Sequence, residues 1–75
     1  MEYRDIEYYM QLAYPVIVYW DEEDQSWYAK FPDLPGSLTD ADHWEDLPAM
    51  LEEAKRCWIE GAIKTGDPIP EPSRP

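Results

Sequence analysis

Asp21, Glu22, Glu23 and Asp24 stand in one unbroken run, and grouped carboxylates of this kind can hold a divalent cation or act as a general acid and a general base. A calcium hand spaces its ligands on alternate positions and needs a glycine at the sixth, and this run has neither feature. It therefore reads as the solvated tip of a turn. His43 has no serine or cysteine nucleophile in a recognisable setting beside it and reads as polar structure where a helix begins. Cys57 is the single cysteine, so an intrachain disulfide and a zinc site are both closed to the chain. Its spacing from Met50 and Ala54 makes it a small apolar residue on a helix face. Pro72-Ser73-Arg74-Pro75 fits the PxxP pattern, which proline-rich tails meet readily. No glycine-rich phosphate loop occurs. The reading is that there are no catalytic, metal or cofactor residues, and the chain is not expected to be an enzyme.

Composition speaks for binding instead. Six basic residues stand against seventeen acidic ones in 75, a formal net charge of −11. Phosphate backbones demand the opposite sign, so autonomous nucleic-acid binding is not expected, whereas a basic protein partner would be attracted. Apolar residues make up 44% of the chain and aromatics 15%, too many for a disordered acidic tail. No run approaches the roughly 18 apolar residues of a membrane span. The opening MEYRDIEYYMQL has no basic n-region, so the expected compartment is the cytoplasm.

The elements that would position these residues follow from punctuation and period. Residues 5–12 allow a helical turn or two before Pro15 forces Tyr14 to extend. Tyr14 to Trp20 (YPVIVYW) is β-branched and aromatic and predicts a strand, with Tyr14, Val16, Val18 and Trp20 on one face and Ile17 and Tyr19 on the other. A loop at 21–25 and a returning strand over 26–31 complete a hairpin, with Trp27, Ala29 and Phe31 opposed to Ser26, Tyr28 and Lys30. PDLPG at 32–36 breaks the ladder, and residues 37–40 predict a short third strand. A helix is predicted from about Trp44 to Thr65, stopped by Gly66 and Pro68, with Asp42 and Glu45 as a capping box. Pro48 is awkward inside it, which predicts an irregular first turn or a true start nearer Pro48. Trp44, Leu47, Met50, Leu51, Ala54, Cys57, Trp58 and Ala62 share the expected core stripe, and Ile59 and Ile63 fall outside it. The expected cover for those two isoleucines is the proline-rich tail around Ile69 or a second subunit. Residues 1–75 thus form one domain: an arm over 1–13, a β-β-β-α core over 14–66 and a tail over 67–75.

The string EYYMQLAYPVIVYWDEEDQSWYAKFPDLPG, then EEAKRCWIEGAIKTG and PIPEPS, resembles the HicB family of antitoxins from Tyr8 to Ser73. The resemblance implies an α+β fold, a small antiparallel sheet with one packed helix in the order β-β-β-α-β, described as a degraded RNase H-like fold. It further implies a type II toxin–antitoxin role: neutralising a HicA-like basic toxin that cleaves mRNA. Longer relatives add a C-terminal DNA-binding domain; none follows PIPEPS here, so direct DNA binding is not expected. Ser37 stands where the family usually has Cys, the DEEDQ loop lacks the usual Gly, and Pro48 interrupts the usual helix.

The candidate toxin-binding residues are Asp21, Glu22, Glu23 and Asp24 in the loop and Glu52, Glu53 and Glu60 on the helix. One helix covers only one face of a sheet. Ile17, Tyr19 and Tyr28, with Ile59 and Ile63, are therefore candidates for a homo-oligomer interface, a dimer being the commonest closed solution. Two alternatives stand beside the antitoxin: an orphan acidic oligomer without a toxin, and a metal-dependent nuclease of RNase H type, which would need several carboxylates converging.

Overall fold

A computed structural model describes residues 5–72. Helix α1 (Ile6–Met10) leads into strands β1 (Ile17–Asp21), β2 (Ser26–Lys30) and β3 (Thr39–Ala41). A 3-10 turn over Trp44–Asp46 then runs directly into helix α2 (Leu47–Thr65). The strands form one antiparallel sheet in the order β1-β2-β3, so β1 and β3 are its two edges. This is the expected small α+β fold. Residues 67–72 form no strand, so the last β of the implied order is absent among the described residues. Pro68 and Pro70 lack the N–H a ladder needs.

Register follows from the turn. Asp21 pairs with Ser26, leaving a four-residue loop, Glu22–Gln25, closed by Gln25 at φ 54°. Gln25 takes the left-handed conformation that a glycine would fill more cheaply. Its side-chain Nε2 donates to the Glu22 carbonyl at 2.7 Å, which partly offsets the strain. Val18 then opposes Ala29, Tyr19 opposes Tyr28, and Trp20 opposes Trp27. The ladder ends at Ile17–Lys30, where continuation would meet Pro15 and Pro32. β1 therefore begins three residues later than Tyr14.

The core has two lobes joined by Leu51. In one, Leu47 packs on Ala29 and Ala41, which settles that the Val18–Ala29 face of the sheet meets the helix. In the other, Tyr14, Phe31 and Leu34 pack with Leu12 and Trp58. The 31–37 turn is stapled by Ser37, whose Oγ accepts from Phe31 N–H at 3.0 Å and donates to the Phe31 carbonyl at 3.1 Å. Trp58 Nε1–H adds a bond to the Pro35 carbonyl at 2.7 Å.

The helix starts where Pro48 allows. Pro48 occupies its first turn, preceded by the 3-10 turn, as its missing N–H demands. Gly66, at φ 78°, ends it: Gly66 N–H bonds the Ile63 carbonyl at 3.3 Å and Asp67 N–H the Ala62 carbonyl at 2.9 Å, a Schellman pair. The Asp42–Glu45 capping box does not form. His43 is the cap residue, with no side-chain capping bond, and Asp42 instead accepts from Ser26 Oγ at 3.1 Å.

The expected core stripe of α2 is rotated. Leu47 and Ala62 are buried, but Met50 and Cys57 are exposed and Trp44 is 56% exposed. Ile59, placed outside the core by sequence, is 0% exposed within the single chain. The reason is α1, which packs on α2. Lys55 Nζ donates to the Met10 carbonyl at 3.2 Å and the Leu12 carbonyl at 2.6 Å and lies over the Tyr14 ring, while Ile63 shares a shallow depression with Ile6. Residues 55, 59 and 63 thus form the ridge that meets the arm. The arm packs on this flank within the single chain, and Ile59 has no surface left for an oligomer.

Candidate binding surface

The hairpin loop is built mainly from its own acids. Asp21 Oδ1 accepts from Asp24 N–H at 3.0 Å, Glu22 Oε2 accepts from Trp20 Nε1–H at 3.1 Å, and Asp24 Oδ2 accepts from the Tyr28 hydroxyl. That bond, with the charges of Asp24, Asp40 and Asp21 around it, holds the Tyr28 phenol up at about 12. Glu22 and Glu23 project from the exposed tip. The loop is therefore an ordered acidic knob, with the carboxylates of Asp21, Glu22 and Asp24 fixed by hydrogen bonds.

More acids arrive at the same end than the loop alone supplies. The Ser26–Asp42 bond ties the hairpin base to the end of β3, and the Trp27 ring meets Trp44 edge-on at 4.8 Å. Asp42, Glu45 and Asp46 thereby join the loop carboxylates at one end of the sheet. Sequence reasoning missed this group; the signal was the short spacing of Asp42, Glu45 and Asp46 just after the third strand. Trp20, Trp27 and Trp44 form a ladder of edge contacts across that end, with Trp20 and Trp27 at 5.2 Å.

The helix candidates do not converge with the loop. Glu52 lines a groove with Met10, Leu12, Tyr14 and Lys55, and Glu53 is exposed. Glu60 lies beside Asp5, Ile6 and Lys64, thirteen positions after the helix start, about 20 Å along the axis. Burial pulls the Lys55 ammonium below the usual lysine range, partly opposed by Glu52. Burial also pushes the Tyr14 phenol up to about 12, with Glu71 adding to it; its hydroxyl donates to the Pro70 carbonyl at 2.7 Å and anchors the tail. Pro72-Ser73-Arg74-Pro75 extends outside the described residues.

The apolar candidates are placed unevenly. Ile17 and Tyr19 are exposed, and Tyr19 stacks on half-buried Tyr28 at 5.6 Å on the sheet face away from the helix. Leu38, 54% exposed, borders the same face with Ile17 and Lys30. Ile63 is half-buried under the arm, away from these three.

Among the described residues no three His, Cys, Asp or Glu side chains come together as a metal cage requires. No described helix is long and apolar enough to cross a membrane. A family model, the HicB_like antitoxin of bacterial toxin-antitoxin systems, matches residues 14–74. The chain is a HicB-like antitoxin-family member. No curated protein and no solved structure matches it. For a HicB-like chain, the ordered acidic knob and the bare aromatic strand beside it are the features from which binding must be argued.

Proposed function

We propose that this HicB-like chain neutralises a HicA-type, basic, mRNA-cleaving toxin by binding it directly, without catalysis, in the cytoplasm and as a homodimer. The observation that carries this reading is the gathering of Asp21, Glu22, Glu23 and Asp24 with Asp42, Glu45 and Asp46 at one end of the sheet, in a chain of net charge −11. A cationic surface built to hold RNA is complementary to such an end, and carboxylates fixed by hydrogen bonds compete with phosphates without first being ordered. Glu52, Glu53 and Glu60 lie along α2 and belong to the contact only where the toxin extends over the helix. The test is association kinetics with a purified HicA-type toxin. The on-rate should fall steeply from low to physiological salt, because steering between exposed charges is screened. Charge reversal at Glu22 and Glu23 should slow association at least tenfold and release RNA cleavage. An on-rate indifferent to both salt and reversal overturns the reading.

A further inference from the structure

β1 is an edge strand whose five preceding and internal residues, Val16 to Trp20, carry no charge and are each 36–47% exposed. A free edge presents unpaired N–H and C=O groups, and proteins usually blunt it with charge, proline, a bulge or a cover. Here Pro15 stands before the run and Asp21 after it, but nothing within it blunts pairing, and no described strand occupies the free side. We propose that this edge pairs with β1 of a second copy, antiparallel about a two-fold axis at Val18, making one continuous six-stranded sheet.

Charge selects the occupant. Two chains of −11 repel, so copies can meet only where charge is absent, and Val16–Trp20 is such a stretch. With the axis at Val18, Tyr19 opposes the partner's Ile17 and Trp20 opposes the partner's Val16. Asp21 opposes the partner's Pro15, so no like charges meet across the pair. The antiparallel arrangement also sends the two acidic hairpin tips to opposite ends. A basic strand would find no charge to complement along this edge. Because side chains alternate, pairing shields both Ile17 and Tyr19 on one face and Val16, Val18 and Trp20 on the other, which packing through the outer sheet face alone would not do.

The inference rests on the dimeric part of the proposed function and can fail separately from toxin binding. In the full chain, sedimentation equilibrium at micromolar concentration should return twice the 8.9 kDa chain mass. Raising salt should tighten the dimer several-fold, the opposite of its effect on toxin association, because screening relieves like-charge repulsion. Val18→Lys should give a monomer with unchanged circular dichroism, while Tyr28→Lys on the central strand should leave the dimer intact. In a Cys57→Ser background, Val18→Cys should cross-link to its own copy under mild oxidation, since opposed residues bring their Cβ atoms within disulfide reach. This cross-link decides the matter where both lysine variants dissociate or where Val18→Lys fails to fold. A monomer at high salt, or a dimer that never cross-links through residue 18, overturns the proposal. A monomer that still captures toxin leaves the antitoxin reading standing, and a cross-linked dimer that leaves toxin free breaks that reading alone.

Discussion

The two edges of this sheet face opposite circumstances. β3 is three residues long, carries Asp40 and is followed at once by Asp42, and α2 packs across it with Leu47 on Ala41. β1 is longer, uncharged until Asp21, and exposed on both faces. With a single long helix, the chain can cover β2 and β3 or β1 and β2, and the short connection through Trp44–Asp46 holds α2 over β3. The uncovered edge is thus a consequence of connectivity. Stability is concentrated on the β3 side, and the capacity to associate remains on the β1 side.

The largest expected effect breaks the covered side. Leu47 is 3% exposed and touches both small residues, Ala29 and Ala41, that let the helix approach. Leu47→Ala should cost about 2–5 kcal/mol, a large part of the stability of so small a domain, and lower the melting temperature by roughly 10–30 °C. A loss under about 1 kcal/mol would mean that α2 does not cover this edge.

The next effect is one of pH and separates Tyr14 from Tyr28. Both phenols are raised from 10.0 to about 12, Tyr14 by burial under the tail and Tyr28 by its bond to Asp24. A phenol whose folded pKa is raised stays protonated longer in the folded state, so its contribution is complete below pH 10 and is lost as pH rises toward 12. Melting temperature should fall across that window. Tyr14→Phe and Tyr28→Phe should each flatten the fall to a similar degree, because the slope follows the pKa shift. Tyr14→Phe should cost more stability at neutral pH, because only Tyr14 sits in the core and anchors Pro70. Equal losses at neutral pH from both variants would place the two phenols in equivalent surroundings.

Much of this was legible in the sequence, for physical reasons that differ by element. The hairpin is visible because β-branched and aromatic residues flank a polar run, and the helix end because Gly66 and Pro68 leave no other outcome. Pro48 marks the start of α2 to within a residue. What was not legible depended on partners distant in the chain. Asp42 looked like a cap until Ser26 was seen to donate to it. Ile59 looked surplus to the core because helical spacing cannot show that α1 returns to that flank, held by Lys55 on two carbonyls. Of the candidate site, the loop acids were plain; their union with Glu45 and Asp46 needed the β2–β3 register.

A smaller effect tests the tie between the hairpin and the covered edge. Asp42→Ala removes the acceptor of the Ser26 hydroxyl, which retains the Asp24 carbonyl at 3.3 Å. The loss should be about 1 kcal/mol by urea denaturation. Toxin association should slow more than one lost charge among seventeen accounts for, if the acids act as one group.

The smallest effect on the fold is expected on the bare edge, at Ile17. It is 47% exposed, pairs only with Lys30 and touches no core cluster. Ile17→Thr keeps the β-branched shape while removing apolar surface, so in dilute solution, where single chains dominate, stability should change by no more than about 0.5 kcal/mol. At higher concentration the original chain should gain in melting temperature as copies associate, because anything that binds only the folded state stabilises it by mass action. The substituted chain should show less of that gain. Unfolding curves over a hundredfold range of concentration measure both quantities on the same two proteins. A loss of 2 kcal/mol at the dilute end would mean that β1 is covered within its own chain, and the contrast between the edges would then collapse. A negligible loss there, with the concentration dependence weakened, assigns Ile17 to association and Leu47 to the fold.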